Sequence, residues 1–312
     1  MQTIQPGRRA AALLCISLLA GGCVRPAALG PARPGAVAGH VVVISIDGLR
    51  ADAIEAANAV HLQGMMREGA WSLRAQTIFP SRTLPSHTSM LTGVPPSVHG
   101  ITFNDERIER EGRVGVPTVF DVAQEAGLYT SAIFGKAKFR HLIHPGAPRD
   151  VQAPPGSEII LAPYIVERAL QHLRFRRPNL LFIHIPDPDI AGHALGWMSL
   201  SYRTAVRRAD GAVSHIVAAA RRAYGDDVVV IVTADHGGHG NDHGTDEPVD
   251  MTIPWIAWGK GVVPGEIREP IVTMNTAATA LWLLGVPVPS NWEGKPVTTA
   301  FQAPAPAASA AQ

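Results

Sequence analysis

The residues of this chain that are best suited to chemistry are carboxylates and imidazoles that follow apolar, strand-like runs. Asp47 follows the first such run, Asp189 and His193 follow another, and Asp235 with His236 follows a third. Aspartate oxygen and histidine nitrogen are ligands that zinc takes in proteins. An Asp-Gly pair after one strand is usually only a turn. Because polar residues recur after three separate runs, the sequence predicts a metal site.

The spacing of these residues is compatible with convergence on one site. Asp189 and His193 are four residues apart, so a helix would present both on one face. Asp235 and His236 are adjacent, and adjacent side chains converge only where a strand breaks into a loop. The two glycines that follow His236 permit such a break.

The segment 79–87, with the sequence FPSRTLPSH, places hydroxyl groups at the predicted start of a helix. Thr83 stands where an N-cap residue stands, and Pro85 fits the first helical turn, where its missing N–H costs little. One interpretation is a purely structural cap. The other is a hydroxyl nucleophile at a helix N-terminus, where the dipole and free N–H groups favour a phosphate. The residues alone leave both interpretations open.

Alternating strand and helix patterns indicate the fold that positions these residues. Short runs rich in β-branched residues predict buried strands at 41–46, 129–134, 180–185, 227–233 and 253–258. Helical patterns fill the intervals at 119–126, 163–173, 199–224 and 276–284. This alternation predicts an α/β fold, a doubly wound and mainly parallel sheet with helices on both faces. In such sheets the ligand site lies beyond the carboxyl ends of the strands, where the polar clusters stand.

Composition narrows the class of protein further. The chain has 312 residues, of which 46% are hydrophobic and 17% are charged, so it can bury a large core. Its 27 Lys and Arg residues nearly balance 26 Asp and Glu residues, so nucleic-acid binding is not expected. Cys15 and Cys23 both precede the predicted domain, which therefore has no cysteine pair for an internal disulfide. No feature of the sequence indicates a protein partner.

The first 22 residues are predicted to be a secretory signal peptide of the lipoprotein type. Arg8 and Arg9 precede an apolar run at 10–20, which is too short to span a bilayer because spanning takes about 20 residues. Small residues before Cys23 resemble a bacterial lipobox, whose cysteine is lipidated after cleavage. An ordinary signal peptide cut nearby is the alternative. We therefore expect an exported, periplasm-facing lipoprotein anchored in a bacterial membrane.

The chain is accordingly divided into four segments. The signal peptide occupies 1–22, and a tether rich in Ala, Pro and Gly occupies 23–39. The folded catalytic domain is predicted at 40–301, and a flexible tail at 302–312.

Several ordered motifs make the chain resemble the type I phosphodiesterase/nucleotide pyrophosphatase branch of the alkaline phosphatase superfamily. Together they are much more specific than any one of them, and they span most of the mature chain. They are IDGLR at 46–50, FPSRTLPSH at 79–87, HGI at 99–101, PD with GH at 188–193, and ADHG at 234–237. The resemblance implies an alkaline-phosphatase-like α/β fold and a hydrolase that acts on a small phosphate ester.

The resemblance also implies two zinc ions and a role for each matching residue. One zinc would be held by Asp47, Thr83, Asp235 and His236, and the other by Asp189, His193 and His243. Thr83 would be the nucleophile and would form a phospho-threonine intermediate that water hydrolyses. Asn104 matches the side chain that donates to a phosphoryl oxygen in the family, although Asn is also common in turns.

Three departures from the family pattern bear on this assignment. Ser86 stands where the family usually has Asn before the motif histidine, and the chain is shorter than the eukaryotic nucleotide pyrophosphatases. The last metal histidine also follows His236 much sooner than in those enzymes. That layout resembles membrane-anchored phosphoethanolamine transferases and leaves His239 as a rival to His243, in a glycine-rich loop that could also be merely solvated.

Two lysines, Lys136 and Lys138, raise an alternative substrate. They follow a predicted strand and are either solvated loop residues or substrate-binding cations. Their Lys-x-Lys spacing resembles the paired cations of phosphonoacetate hydrolases and some phosphate monoesterases. The alternative activity is therefore that of a phosphomonoesterase or a phosphonoacetate-hydrolase-like enzyme.

The sequence leaves two other functions open besides hydrolysis of phosphate esters. A binding lipoprotein could use the same scaffold without catalysis, because fold does not imply function. A sulfatase fits less well, because its formylglycine precursor requires Cys or Ser where Thr83 stands.

Overall fold

An eight-stranded sheet forms the centre of residues 33–302, the part of the chain that the computed structural model describes. Its strands are β1 (His40–Ile46), β2 (Ala70–Gln76), β3 (Thr130–Ile133), β4 (Asp150–Gln152), β5 (Leu180–Ile185), β6 (Val228–Thr233), β7 (Thr252–Gly259) and β8 (Gly265–Glu266). They are ordered β4-β3-β5-β1-β6-β7-β2-β8. The first five strands in this order run parallel to one another, which makes the sheet mainly parallel.

The central strands are buried on both faces of the sheet. Every residue of β1, β5 and β6 is buried. This burial accounts for their continuous apolar sequences, since a strand covered on both sides has no solvent face for polar residues.

Helices cover the sheet on both sides. They are α1 (Ala53–Ala56), α2 (Val60–Glu68), α3 (Thr83–Thr92), α4 (Pro96–His99), α5 (Ile108–Glu111), α6 (Val119–Glu125), α7 (Ala162–Gln171), α8 (Asp187–Leu195), α9 (Leu200–Tyr224), α10 (Pro248–Met251) and α11 (Asn275–Leu283). Helices α2, α7 and α8 pack with α9, whereas α3 and α6 pack with α11, and β1 contacts both α9 and α11. The predicted doubly wound α/β architecture is therefore confirmed.

Towards one edge of the sheet the strands are not all parallel. Strand β7, predicted at 253–258, runs antiparallel to β6 and to β2. Strands β2, β4 and β8 were not predicted. The sequence of β2 contains Ser72 and Arg74, and buried residues are interspersed with partly exposed ones along the strand, so it lacks the continuous apolar run that marks the central strands.

The folded unit begins slightly before the predicted boundary at residue 40. Val37 and Ala38 are buried, and their N–H groups donate to the carbonyl of Leu283 at 2.9 and 3.1 Å. The end of the predicted tether therefore belongs to the fold. The signal peptide, Cys23 and the tail after residue 302 lie outside the described residues. Within 33–302, no helix is long and apolar enough to cross a membrane.

Candidate active site

Three neighbouring strands deliver the three predicted carboxylates to one edge of the sheet. Asp47 follows β1 directly, Asp189 lies in the first turn of α8 after β5, and Asp235 follows β6. Strand β1 pairs with β5 on one side and with β6 on the other, always in parallel. Because parallel neighbours end at the same edge, the three side chains converge there.

In each of these carboxylates, one oxygen is held by the protein. Asp47 Oδ2 accepts a hydrogen bond from His184 Nε2 at 2.9 Å. Asp235 Oδ1 accepts one from the backbone N–H of Gly48 at 3.1 Å. Asp189 Oδ2 accepts a short hydrogen bond from Lys136.

The other oxygen of each carboxylate is buried and accepts no hydrogen bond within the described residues. These atoms are Asp47 Oδ1, Asp189 Oδ1 and Asp235 Oδ2. A buried acceptor without a donor is costly, and buried carboxylates are normally paired or bound to a metal. The three free oxygens are thus suited to bind cations.

Three imidazoles present one nitrogen each to the same region. The Nδ1–H groups of His193, His236 and His243 donate to the carbonyls of Asn241, Gly237 and Ser81, at 2.9, 2.8 and 2.8 Å. This pattern leaves the Nε2 lone pair of each neutral ring available as a ligand. The Nε2 atoms of His193 and His243 lie only 3.2 Å apart, at a distance that a shared cation would make favourable.

The potential ligand atoms fall into groups whose members lie within 4.8 Å of one another. One group is Asp47, Asp235 and His236, a second is Asp189, His236 and His243, and a third is His193, Asp242 and His243. Oxygen and imidazole ligands at this spacing fit divalent zinc. The residues present therefore fit the implied metals, and Asp242 is a nearby carboxylate that was not predicted from the sequence.

The charges of the site act on the pKa values of its members. Burial by itself would raise the pKa of Asp47, but Lys136 and His184 outweigh it and hold this pKa well below its usual range. Burial would lower the pKa of His236, yet Asp235 and Asp47 raise it to about 9. The site consequently attracts positive charge.

Thr83 lies among these ligands, but it is not the helix cap that its position suggested. Helix α3 begins at Thr83 itself, and Arg82, with extended backbone, is the N-cap residue. The Thr83 hydroxyl lies 3.4 Å from His236 Nε2 and accepts no N–H group of the helix. The cap interpretation is therefore wrong, because the helix starts one residue earlier than the sequence suggested.

Asn104 and Lys138 lie beside Thr83. Asn104 Oδ1 accepts from the backbone N–H of Leu84 at 2.9 Å and from Lys138 Nζ at 3.1 Å. Both contacts use the amide oxygen, so the NH₂ group of Asn104 remains the donor for a ligand. Thr83, Asn104 and Lys138 line a cavity of about 620 Å³.

Lys136 differs from Lys138, contrary to the expectation that the two form a pair of substrate-binding cations. Lys136 is only 7% exposed, and its ammonium forms ion pairs with Asp47, at 2.6 Å, and with Asp189. Burial would lower the pKa of Lys136, but the two carboxylates together raise it above its usual range. The charge of Lys136 is thus directed to the carboxylates.

Only one of the two rival histidines reaches the ligand cluster. His243 is buried, and its ring stacks on that of His236 with centroids 3.6 Å apart. His239 donates instead to the buried carboxylate of Asp250 at 2.8 Å, and its side chain is 40% exposed. Of the two, the structure brings His243 to the site.

Two further buried histidines support the site without facing it as ligands. His184 accepts the N–H of Gly135 at Nδ1, so its Nε2–H donates to Asp47. His87 donates from Nδ1 to the carbonyl of Thr83 at 2.8 Å and accepts from Ser45 at 2.8 Å. Neither residue has a role predicted from the sequence. The signal for His184 was a lone polar residue in the apolar strand LLFIHI.

Comparison with known sequences identifies relatives of the chain. The model of the family "Type I phosphodiesterase / nucleotide pyrophosphatase" matches residues 41–253. Human ectonucleotide pyrophosphatase/phosphodiesterase family member 1 is 24% identical over 195 residues, which are 56% of this chain and 21% of that protein. The bis(5'-adenosyl)-triphosphatase enpp4 of Xenopus laevis is 26% identical over 215 residues, 63% of this chain and 46% of that protein. The chain thus spans less than half the length of these relatives.

Comparison with solved structures shows the shared fold. Murine ectonucleotide pyrophosphatase/phosphodiesterase 5 superposes with a TM-score of 0.70 at 18% identity, covering 81% of this chain and 97% of that one. The same mouse protein, as an inactive threonine-to-alanine variant in complex with AMP, gives a TM-score of 0.70 at 17% identity, covering 84% and 100%.

Proposed function

Because the chain belongs to the type I phosphodiesterase/nucleotide pyrophosphatase family, we propose that it hydrolyses phosphoric esters with Thr83 as nucleophile and two zinc ions as cofactors. One observation carries this proposal: three buried carboxylate oxygens without hydrogen bonds and three imidazole Nε2 atoms cluster together, and the Thr83 hydroxyl lies 3.4 Å from one of them, His236 Nε2. A purely structural cluster would satisfy these atoms internally.

The ligands divide into two sets in this proposal. Asp47, Thr83, Asp235 and His236 would hold one metal, and Asp189, His193 and His243 would hold the other. When bound, the metals lower the pKa of a coordinated hydroxyl or water and stabilise negative charge on phosphoryl and leaving oxygens.

The side chains of this protein have distinct tasks in the reaction. Thr83 Oγ1 forms the bond to phosphorus as its proton is lost, and the ester oxygen departs and takes up a proton. Water then attacks the phospho-threonine, releases phosphate or a phosphate monoester, and restores the hydroxyl. The NH₂ group of Asn104 and the N-terminal end of α3 bind the phosphoryl oxygens. The Asn104 contact to Leu84 N–H orients that amide.

The relatives support this assignment by analogy. The murine structure with AMP is an inactive variant in which threonine is replaced by alanine, which agrees with a threonine nucleophile. The Xenopus relative is named as a triphosphatase acting on a dinucleotide. Phosphodiesters and nucleotide pyrophosphates are therefore the first substrates to test.

A second candidate activity is hydrolysis of phosphate monoesters or phosphonoacetate-like compounds. Lys138 favours it, because its ammonium lies 3.1 Å from Asn104 Oδ1 and lines the cavity beside Thr83. A cation at this point favours a substrate with an additional negative charge. Burial and the nearby Lys136 lower the pKa of Lys138 to about 8, so its charge also depends on pH near neutrality.

We also propose that the protein is exported and lipidated at Cys23, as the N-terminal sequence indicates. Metabolic labelling with a radioactive or clickable fatty acid should mark the full-length protein, and Cys23→Ala should lose the label and leave the membrane fraction. Equal labelling of the Cys23→Ala variant would contradict lipidation at this residue.

The enzymatic proposal is tested by metal analysis and a substrate panel. Purified protein should contain close to two zinc per chain, and chelation should abolish hydrolysis of bis(4-nitrophenyl) phosphate and lower the melting temperature. Zinc should restore both. Full activity in metal-free protein would refute the mechanism, and zinc binding without turnover of any ester would favour the non-catalytic binding lipoprotein.

A further inference from the structure

The ammonium of Lys136 connects the two ligand sets of the proposed metal centre. It contacts Asp47, from one set, at 2.6 Å, and Asp189, from the other set, at a shorter distance. In both carboxylates the atom it contacts is Oδ2, whereas Oδ1 has no hydrogen-bond partner. Lys136 thus holds both carboxylates by their Oδ2 atoms, and both Oδ1 atoms remain without a hydrogen bond.

The backbone around Lys136 delivers this ammonium to a defined point. Gly135 donates its N–H to His184 Nδ1 at 3.1 Å, and its carbonyl accepts from Ile160 at 2.8 Å. A Cβ at Gly135 would lie 2.7 Å from the ring of Pro186, so the two segments pack closely. The backbone of Lys136 pairs with that of Ile159 in an isolated antiparallel β-bridge. These contacts leave little freedom for the chain that carries Lys136.

The charges at this point require a counter-ion. Asp47, Asp189 and Asp235 are all buried and close together, and like charges in a low-dielectric interior repel strongly. Among residues 33–302, Lys136 is the one Lys or Arg whose side-chain nitrogen lies within 4.0 Å of any of these carboxylates. The remaining contacts come from imidazoles.

We propose that Lys136 is the internal counter-ion of the metal centre, which keeps the carboxylates of both ligand sets together in the folded chain before metal binds. This role rests on the proposed function, because it presumes that the free oxygens bind metal. The domain can then fold first and acquire its metals afterwards. The same charge repels the incoming cations, so Lys136 also lowers metal affinity.

Removal of Lys136 should affect stability differently with and without metal, because a different positive charge balances the carboxylates in each state. Without metal, removing the ammonium leaves the buried carboxylates of Asp47 and Asp189 without the one ammonium that pairs with both of them, which destabilises the fold strongly. With metals bound, their charges compensate the same carboxylates, and removing Lys136 also removes its repulsion of the metals. The loss of stability should therefore be much larger without metal, and by linkage the variant should bind metal more tightly.

The test compares Lys136→Met with Lys138→Met, a matched change of the lysine two residues away. Melting is followed by circular dichroism in chelator and in saturating zinc, and zinc affinity by competition with a chromophoric chelator. In chelator, Lys136→Met should melt roughly 10 °C below the wild type, and in zinc the difference should fall to less than half of that. Its zinc affinity should rise roughly tenfold or more. Lys138 forms no ion pair with these carboxylates, so Lys138→Met should change both quantities less than half as much as Lys136→Met.

A second variant keeps the proposal testable if Lys136→Met does not fold without metal. The double change Lys136→Met with Asp189→Asn removes one buried negative charge along with the cation. It should melt above Lys136→Met in chelator, since the remaining charges are fewer. No rescue by the double change, equal losses with and without zinc, or weaker zinc binding by Lys136→Met would each overturn the counter-ion role. Failure of the wild type to bind zinc would instead refute the proposed metal centre, while the chelator measurements would still report on the charge balance.

Discussion

Replacing Thr83 by alanine distinguishes a nucleophile from a structural residue, because the structure predicts very different losses in activity and stability. The Thr83 side chain caps no helix N–H, and its hydroxyl makes only a long contact of 3.4 Å with His236 Nε2 among the described residues. The change therefore removes one buried methyl group, which costs about 1 kcal/mol. The higher helix propensity of alanine returns about half of that. The net loss should stay below about 1 kcal/mol.

The loss of activity should be much larger. Removing the nucleophile should lower kcat/KM by about 10⁴-fold, which corresponds to about 5.5 kcal/mol of transition-state stabilisation. Thr83→Ser retains a hydroxyl at the same Oγ position and should keep measurable turnover. Thr83→Val retains the shape of the side chain without the hydroxyl and should be as inactive as Thr83→Ala.

The assay is hydrolysis of bis(4-nitrophenyl) phosphate with zinc content and melting temperature measured on the same samples. Thr92→Ala is the matched control, since Thr92 is a buried threonine of the same helix whose hydroxyl donates to the carbonyl of Thr88 at 2.7 Å. That variant should retain activity. If Thr83→Ala kept more than a tenth of wild-type kcat/KM while remaining folded, the nucleophile assignment would be refuted.

Substitutions at Lys138, His243 and His99 test substrate preference, metal binding and the pH dependence of stability. Lys138→Ala should lower kcat/KM for 4-nitrophenyl phosphate at least tenfold more than for its bis-ester, and equal losses on the two substrates would argue against a charge-selecting role. His243→Ala should reduce zinc measured by mass spectrometry, whereas His239→Ala should leave most of it, and the reverse ranking would reassign the ligand. Burial lowers the pKa of His99 from 6.5 to about 4, so the unfolded chain binds a proton that the folded chain excludes. Stability should accordingly fall by up to about 3 kcal/mol as the pH drops from 6.5 to 4. In urea titrations His99→Gln should lose less stability than the wild type over this range, and identical pH dependence of the two proteins would contradict the shifted pKa.

Much of the fold could be predicted because its signals are local. The apolar runs of β1, β5 and β6 are long enough to identify strands buried on both faces, and the polar residues directly after them identify the ligand edge. The antiparallel direction of β7 could not be predicted, because direction is set by the path of the chain between β6 and β7. Strand β2 was missed because its half-exposed pattern is shared by many surface segments.

The sequence by itself determined which ligand types meet at the site, because strand ends carry their side chains to a common edge whatever the details of packing. Only the tertiary structure decided how each is used. It paired His239 with Asp250 and left His243 to the cluster, and it directed Lys136 to the carboxylates of Asp47 and Asp189. Such pairings join residues from 11 to 89 positions apart, and they depend on distances of a few ångströms that neither spacing nor composition contains.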